Sequence, residues 1–242
     1  FISQSGETAD TLAALKLAKE KGSVTLAICN VVGSSMSRQA DNVLYTHCGP
    51  EIGVASTKAF TGQLTAIYLL VMDLASKKGT ISKEQLSYLI KQLWDIPIKI
   101  TECLNQSQQI FKIAKIFYSK KQFIYLARNI NYPIALEGAL KLKEISYIYA
   151  EGYPAGEMKH GPIALIDDTM PVMVIATKSK VYEKVLSNIE EAKARGAKII
   201  AVVNPGDKEI TKKTDYQIFV PETEEIFSPL INVIPLQFFA YY

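Results

Sequence analysis

The first eight residues, Phe1-Ile2-Ser3-Gln4-Ser5-Gly6-Glu7-Thr8, run a short apolar strand stub into three hydroxyls, an amide and a glycine. A helical pattern follows from about Glu7 to Lys21, with Leu12, Leu15 and Ala18 among its apolar positions. A helix start leaves backbone N–H groups unpaired and carries the positive end of the helix dipole. Hydroxyls and a glycine gathered there can hold a phosphate through side chain and backbone together. Ser and Thr also cap helices, and capping alone would account for Ser5 or Thr8. One residue is enough for a cap, so Ser3, Ser5, Thr8 and Gln4 crowded around Gly6 point to an anion.

Outward from this stretch the chain alternates. An apolar β-type run, Val24 to Cys29, is followed by Gly33-Ser34-Ser35 opening a short helix and a second run at Val43 to Thr46. The loop CGPEIGVASTKAF, Cys48 to Phe60, leads into a helix over Thr57 to Lys77 that is apolar on most faces and expected to be buried or at an interface. Lys78-Gly79-Thr80 is the clearest break, which divides the chain into 1–80 and 81–242. Ser82 and Gln85 have capping-box spacing ahead of helices over Lys83 to Cys103 and Gln106 to Ser119. The alternation then resumes: strand Phe123 to Ala127, helix Pro133 to Ile148, a loop to Gly161, strand Val172 to Ala176, helix Val181 to Arg195, strands Ile199 to Val203 and Gln217 to Val220, and a last helix. Strands separated by helices mean an α/β fold with parallel sheets.

The second part repeats the first. A constant shift of 174 (179 minus 5) aligns Ser5 with Ser179, Leu12 with Leu186, Ala18 with Ala192, Gly22 with Gly196, Glu51 with Glu225 and Tyr68 with Tyr242. Two similarly folded units follow. The strand at Phe123 and the helix after it would have counterparts before Phe1 (123 minus 174 is −51), so the first unit is expected to lack its opening strand and helix. A sheet without that strand has an open edge.

Composition narrows the function. The 242 residues are 48% hydrophobic and carry a net charge of +3 with no concentrated basic stripe, which argues against nucleic acid. Cys29, Cys48 and Cys103 have no metal-ligand spacing, so no metal is expected, and an odd, scattered set suits a reducing compartment. The longest apolar run, around Leu64 to Met72, is shorter than the ~20 residues of a membrane span. The opening strand lacks a charged leader, and the cytoplasm is the expected location.

A second constellation lies on the helix from Pro133. In ALEGALKLKEISY the charges Glu137, Lys141 and Glu144 fall on one stripe of an otherwise apolar helix. A solvated i,i+4 ion pair would give the same spacing. Burial of the rest of the helix favours a site, because a carboxylate beside a Lys in a partly desolvated cleft suits a general base. The following AEGYPAGEMKHGP, Ala150 to Pro162, holds His160, suited to acid–base work near neutral pH or else bonded to loop backbone. His47 reads as structural.

With SQSGETADTL, EIGVASTKAF, ALEGALKLKEISY and GEMKHGP in this order, the chain resembles, over its whole length, the isomerase domain of the glutamine:fructose-6-phosphate aminotransferases. These belong to the wider class of sugar isomerase (SIS) domains. The SxSGET motif marks only that wider class, while KLKEISY and KHGP narrow it. The resemblance implies two tandem SIS subdomains, each a flavodoxin-like three-layer parallel sheet. It implies that Ser3, Gln4, Ser5 and Thr8 hold the phosphate of fructose 6-phosphate or glucosamine 6-phosphate, and that Val54 and Ser56 contact the sugar. Glu144 would move a proton between C1 and C2, with Lys141 assisting. His160 would open the sugar ring and reach the site of a neighbouring subunit, so a homodimer shares its sites. A glutaminase domain would accompany this one in the full-length protein, and no organic cofactor is implied. The family's first SIS strand, with a Gly-Thr-Ser loop, and its C-terminal tail with a catalytic Lys have no counterpart in these residues. A SIS module that binds a phosphosugar without turning it over, and another isomerase or deaminase of amino-sugar phosphates, are the rivals.

Overall fold

Every strand pair is parallel, so each strand returns through a crossover on one face of its sheet. The computed structural model describes residues 1–242, in two compact units, Phe1–Tyr88 and Leu89–Tyr242. The division falls inside a helix, α4 (Lys83–Trp94).

The first unit contains β1 (Ile2–Ser3), α1 (Ala9–Glu20), β2 (Leu26–Cys29), α2 (Ser35–Gln39), β3 (Asn42–Tyr45) and α3 (Lys58–Lys77). Its sheet runs β1-β2-β3, with Ile2 opposite Ile28 and Ala27 opposite Val43. Leu15, Ala27, Cys29 and Met36 are fully enclosed between sheet and helices. Of the twenty residues of α3 only Ala59, Ala66 and Met72 are buried within the chain. Length and composition alone would let α3 cross a membrane, although the apolar run counted by itself is too short; the helix is longer because Lys58 and Lys77 extend it at either end.

In the second unit α5 (Ile96–Leu104) and α6 (Ser107–Phe117) precede β4 (Gln122–Ala127), α7 (Tyr132–Ser146) and β5 (Tyr149–Pro154). Then come β6 (Pro171–Ile175), α8 (Tyr182–Ala194), β7 (Lys198–Val203), α9 (Lys208–Lys213), β8 (Tyr216–Phe219) and α10 (Ser228–Tyr241). The order β5-β4-β6-β7-β8 is that of a flavodoxin-like sheet, 2-1-3-4-5. Alternation along β4 sorts the layers. Ile124 and Leu126 pack with Val185 and Ile189 of α8 and with Ala155 and Met158 beyond β5. Phe123 and Tyr125 face the other way: Phe123 stacks edge-on against Phe239 of α10 at 5.7 Å, and Tyr125 lies beneath Gly138 of α7. Helix α7 therefore covers one face and the segment after β5 the other.

The repeat is physical as well as textual. The strands β2 and β3 map by the 174-residue shift onto residues 200–203 of β7 and onto β8. Asp41 accepts the backbone N–H of Thr25 at 2.9 Å, and its equivalent Asp215 accepts that of Ile199, the equivalent of Thr25, at 2.9 Å. The capping box also forms, Ser82 N donating to Gln85 Oε1 at 2.9 Å and Gln85 N to Ser82 Oγ at 3.1 Å.

Three elements differ from the sequence pattern. The helix expected over Lys83 to Cys103 breaks at Asp95, because Pro97 lacks the N–H that a continuous helix needs. The stretch Tyr149–Pro154, read as loop, is the edge strand β5. Its Gly152 hides the strand pattern for a packing reason: a Cβ there would stand 2.9 Å from the backbone nitrogen of Leu136, so only glycine lets α7 lie this close. The short α9 carries no periodic signal, and is started by Asp207, which accepts the N–H groups of Glu209 and Ile210.

Asp41 offers a pH test of the first unit. The Lys19 ammonium, then the Thr25 N–H and hydroxyl, lower its pKa to about 2. A depressed carboxylate stabilises the fold above its unfolded pKa and loses that contribution as pH falls through the folded value. Urea midpoints of wild type and Asp41→Asn should differ at pH 6 and converge between roughly pH 4 and pH 2; a gap that persists at pH 2 would contradict this.

Candidate active site

The C-terminal end of β1 is where an open parallel sheet offers its ligand crevice. The chain leaves it through Gln4, Ser5 and a left-handed Gly6, whose φ is 68°. Gly6 is required there twice over, since a Cβ would also lie 2.2 Å from Ser34 Oγ. Its carbonyl accepts Met36 N at 2.9 Å, and Glu7 Oε1 accepts Ser35 N at 2.7 Å, tying the loop to the start of α2. That bond from Ser35 also holds the Glu7 carboxyl below the usual carboxylate range. Ser3 is buried, accepts Gly6 N at 3.0 Å and shares a 3.0 Å hydrogen bond with the Thr8 hydroxyl, while Ser5 Oγ accepts Glu7 N at 3.2 Å. Ser3, Ser5 and Thr8 thus converge on one turn. Thr8 is the N-cap of α1 but makes no side-chain capping bond, so its hydroxyl does not satisfy the first-turn N–H groups. Gln4 is half-buried and holds the turn through its carbonyl, which accepts Asn30 N at 3.1 Å.

Ser56 and Val54 behave differently. The Ser56 hydroxyl donates to Glu51 Oε1 at 3.4 Å, and the same oxygen accepts the N–H groups of Thr57 and Ala59, so Glu51 caps α3. Val54 is fully exposed and packs on nothing within its unit.

In the second unit, Lys141 is only 2% exposed. Its ammonium lies 2.5 Å from Glu144 Oε2 and 3.4 Å from Glu137 Oε1. One buried cation between two carboxylates leaves the group a net negative charge, and one-third of the Glu144 side chain reaches solvent. Burial raises the Glu137 pKa, with Lys141 pulling the other way. Glu144 is the exposed, charge-supported member, the arrangement that a proton-transferring base needs. His160 ends a 3-10 turn, Ala155–His160, on the opposite face of the sheet and makes no hydrogen bond or ion pair with Glu144 or Lys141.

The profile of the SIS domain matches residues 1–73 and 116–242. The chain belongs to the SIS domain family. It is 57% identical over 241 residues to a glutamine–fructose-6-phosphate aminotransferase (isomerizing) of Bacteroides thetaiotaomicron and 54% identical to that of Chlorobaculum tepidum. All of this chain is covered in both, but it spans 39% of the length of each. The C-terminal domain of glucosamine-fructose-6-phosphate aminotransferase from Francisella tularensis superposes with a TM-score of 0.94 at 41% identity, over 99% of this chain and 68% of that one. This SIS chain is a C-terminal domain of the aminotransferase kind.

Glu7, Glu51 and Glu137 were not singled out as site residues from the SIS sequence alone. Glu137 was visible as part of a charged stripe; its burial was not. Glu7 acts on the N–H of Ser35, distant in sequence, and Glu51 caps α3 from within the preceding loop, where it carries no periodic signal. Gly6→Ala should destabilise the first unit by about 2 kcal/mol or more, combining left-handed strain with the clash on Ser34. Urea unfolding measures it; a loss below about 0.5 kcal/mol would show that the turn can relax.

Proposed function

We propose that this chain is the sugar-phosphate isomerase part of a longer glucosamine-6-phosphate-forming aminotransferase, made of two SIS subdomains, 1–80 and 81–242. The observation that carries the proposal is the buried Lys141 holding Glu144 at 2.5 Å on a helix otherwise made for packing. A module that only binds phosphosugars has no use for such a base, and this disfavours the binding rival. The names of the relatives favour the aminotransferase over other amino-sugar isomerases.

The Ser3–Thr8 turn anchors the phosphate of fructose 6-phosphate, and Val54 and Ser56 line the sugar. In the open sugar, ammonia condenses at C2 to an imine and water leaves. Glu144 takes a proton from C1, the electron pair forming the C1=C2 bond as the imine nitrogen is protonated. A proton then returns to C2 while the C1 hydroxyl loses its own, leaving an aldehyde at C1 and an amine at C2. Lys141, bound to Glu144, holds its carboxyl group in place for both transfers. The ammonia is supplied by a glutaminase domain elsewhere in the longer protein, and the phosphorylated substrates and free cysteines suit the cytoplasm.

The layers of the second unit favour a homodimer with shared sites. The sheet lies between α7, which carries Glu144, and the turn that carries His160, so a His160 from a second copy meets Glu144 more readily than the chain's own. In the first unit β1 has an open edge where β6 has β4.

Glu144→Gln should abolish isomerisation and leave sugar-phosphate affinity, read by calorimetry, nearly intact; equal loss of both would remove Glu144 from the chemistry. Ser3→Ala should weaken binding instead. Mixing inactive Glu144→Gln and His160→Ala proteins should restore about a quarter of wild-type activity, since half the dimers are hybrid and one of their two sites is intact. Restoration of nothing would mean that each chain completes its own site.

A further inference from the structure

The turn bearing His160 is joined at Lys159 to a chain of polar contacts whose far end, the Arg128 guanidinium, packs beside Gly156 of the same turn. Ala155 and Met158 are its buried anchors, leaving Gly156, Glu157, Lys159 and His160 on the outer side. Lys159 Nζ lies 2.8 Å from Glu191 Oε1 on α8. Glu191 Oε2 accepts Asn188 Nδ2 at 3.1 Å, and Asn188 Oδ1 accepts Arg128 Nε at 2.9 Å. Arg128, which follows β4, brings its guanidinium back onto the turn: a Cβ on Gly156 would stand 3.0 Å from Nη1 and 3.2 Å from Cζ. Asn188, the middle link, is 5% exposed and has both ends of its amide engaged. Burial opposes the charge of Glu191, but the bonds from Lys159 and Asn188, with Arg128 nearby, outweigh it and keep this carboxyl ionised.

Such a ring is poorly explained as a source of stability. The Lys159–Glu191 pair is largely solvated, with 61% and 24% of the side chains exposed, and pairs of that kind add little. What the ring does is fix the direction of the residue after Lys159. We propose that Arg128, Asn188 and Glu191 are positioning residues that aim His160 at the sugar ring oxygen. The inference rests on the ring-opening role given to His160 above. In that step the C2–O5 bond breaks, O5 gains a proton, and the C2 hydroxyl loses one to become the carbonyl; a histidine displaced by an ångström serves this transfer badly.

The test uses the full-length enzyme and two substrates, fructose 6-phosphate and 5-deoxyfructose 6-phosphate, which lacks the oxygen needed to close the ring. Glu191→Ala should lower kcat on fructose 6-phosphate by about tenfold or more while KM moves less than about threefold. On the open-chain substrate its kcat should stay within about twofold of wild type. Glu191→Gln, which keeps one acceptor oxygen and so one of the two hydrogen bonds, should lose less than Glu191→Ala, and Arg128→Lys, lacking the planar fork, should lose as much as Glu191→Ala. His160→Ala is run alongside: if it slows both substrates equally, ring opening by His160 is wrong, and Glu191→Ala must then copy that equal pattern for the positioning role to stand. Unchanged activity in Glu191→Ala, a substrate pattern unlike that of His160→Ala, or a fall in Tm beyond about 4 °C would overturn the proposal, the last because it marks a structural prop.

Discussion

Parallel pairing governs this molecule. A parallel strand cannot turn back on its neighbour, so each connection between successive strands of a sheet is a crossover that must lie on one face or the other. Loops with functional side chains gather at strand ends, and helices between them are committed to a side. The consequence is sharpest around β4 and β5. Helix α7 leaves β4 on the face marked by Phe123 and Tyr125, while the turn after β5 folds onto the face marked by Ile124 and Leu126. Two groups only sixteen positions apart in sequence, Glu144 and His160, are thereby kept on opposite sides of a sheet.

The two units use different physics. In the first unit the work is done by backbone: a left-handed glycine, an uncapped helix start, and a Ser3–Thr8 hydroxyl pair. In the second unit it is done by charge in a low-dielectric setting. A buried ammonium is tolerable only because carboxylates face it, and removing both would leave its charge uncompensated. The sequence of α7 shows why that stripe stays in place: Gly138 and the surrounding apolar residues seat the helix against Tyr125, so the charges cannot rotate out to water.

Much of this was legible beforehand, for physical reasons that can be named. Continuous apolar runs and helical stripes carry β2, β4, β6, β7 and α8 plainly, and the SxSGET, KLKEISY and KHGP motifs carry the family. The repeat was legible because both units keep the same spacing from Ser5 to Tyr68 and from Ser179 to Tyr242. What escaped were features made by contact across the chain. Strand β5 is disguised by a glycine that serves helix packing, and the break at Asp95 needed the geometry of Pro97. The buried state of Glu137 depends on neighbours that no local pattern reveals, as does the ring through Arg128, Asn188 and Glu191.

The recurring aspartate clip, Asp41 in one unit and Asp215 in the other, sits at the same place in both. Against that shared frame, the loop after the equivalent strand has diverged: Lys178 stands where the first copy has Gln4, and Lys180 where it has Gly6, with no left-handed turn. Without that turn the backbone amides cannot fold into the same anion nest. Under the function proposed above this is a division of labour, in which one unit carries the phosphate anchor and the other the acid–base stripe on α7. That function then calls for one sugar phosphate per chain, although the architecture is double.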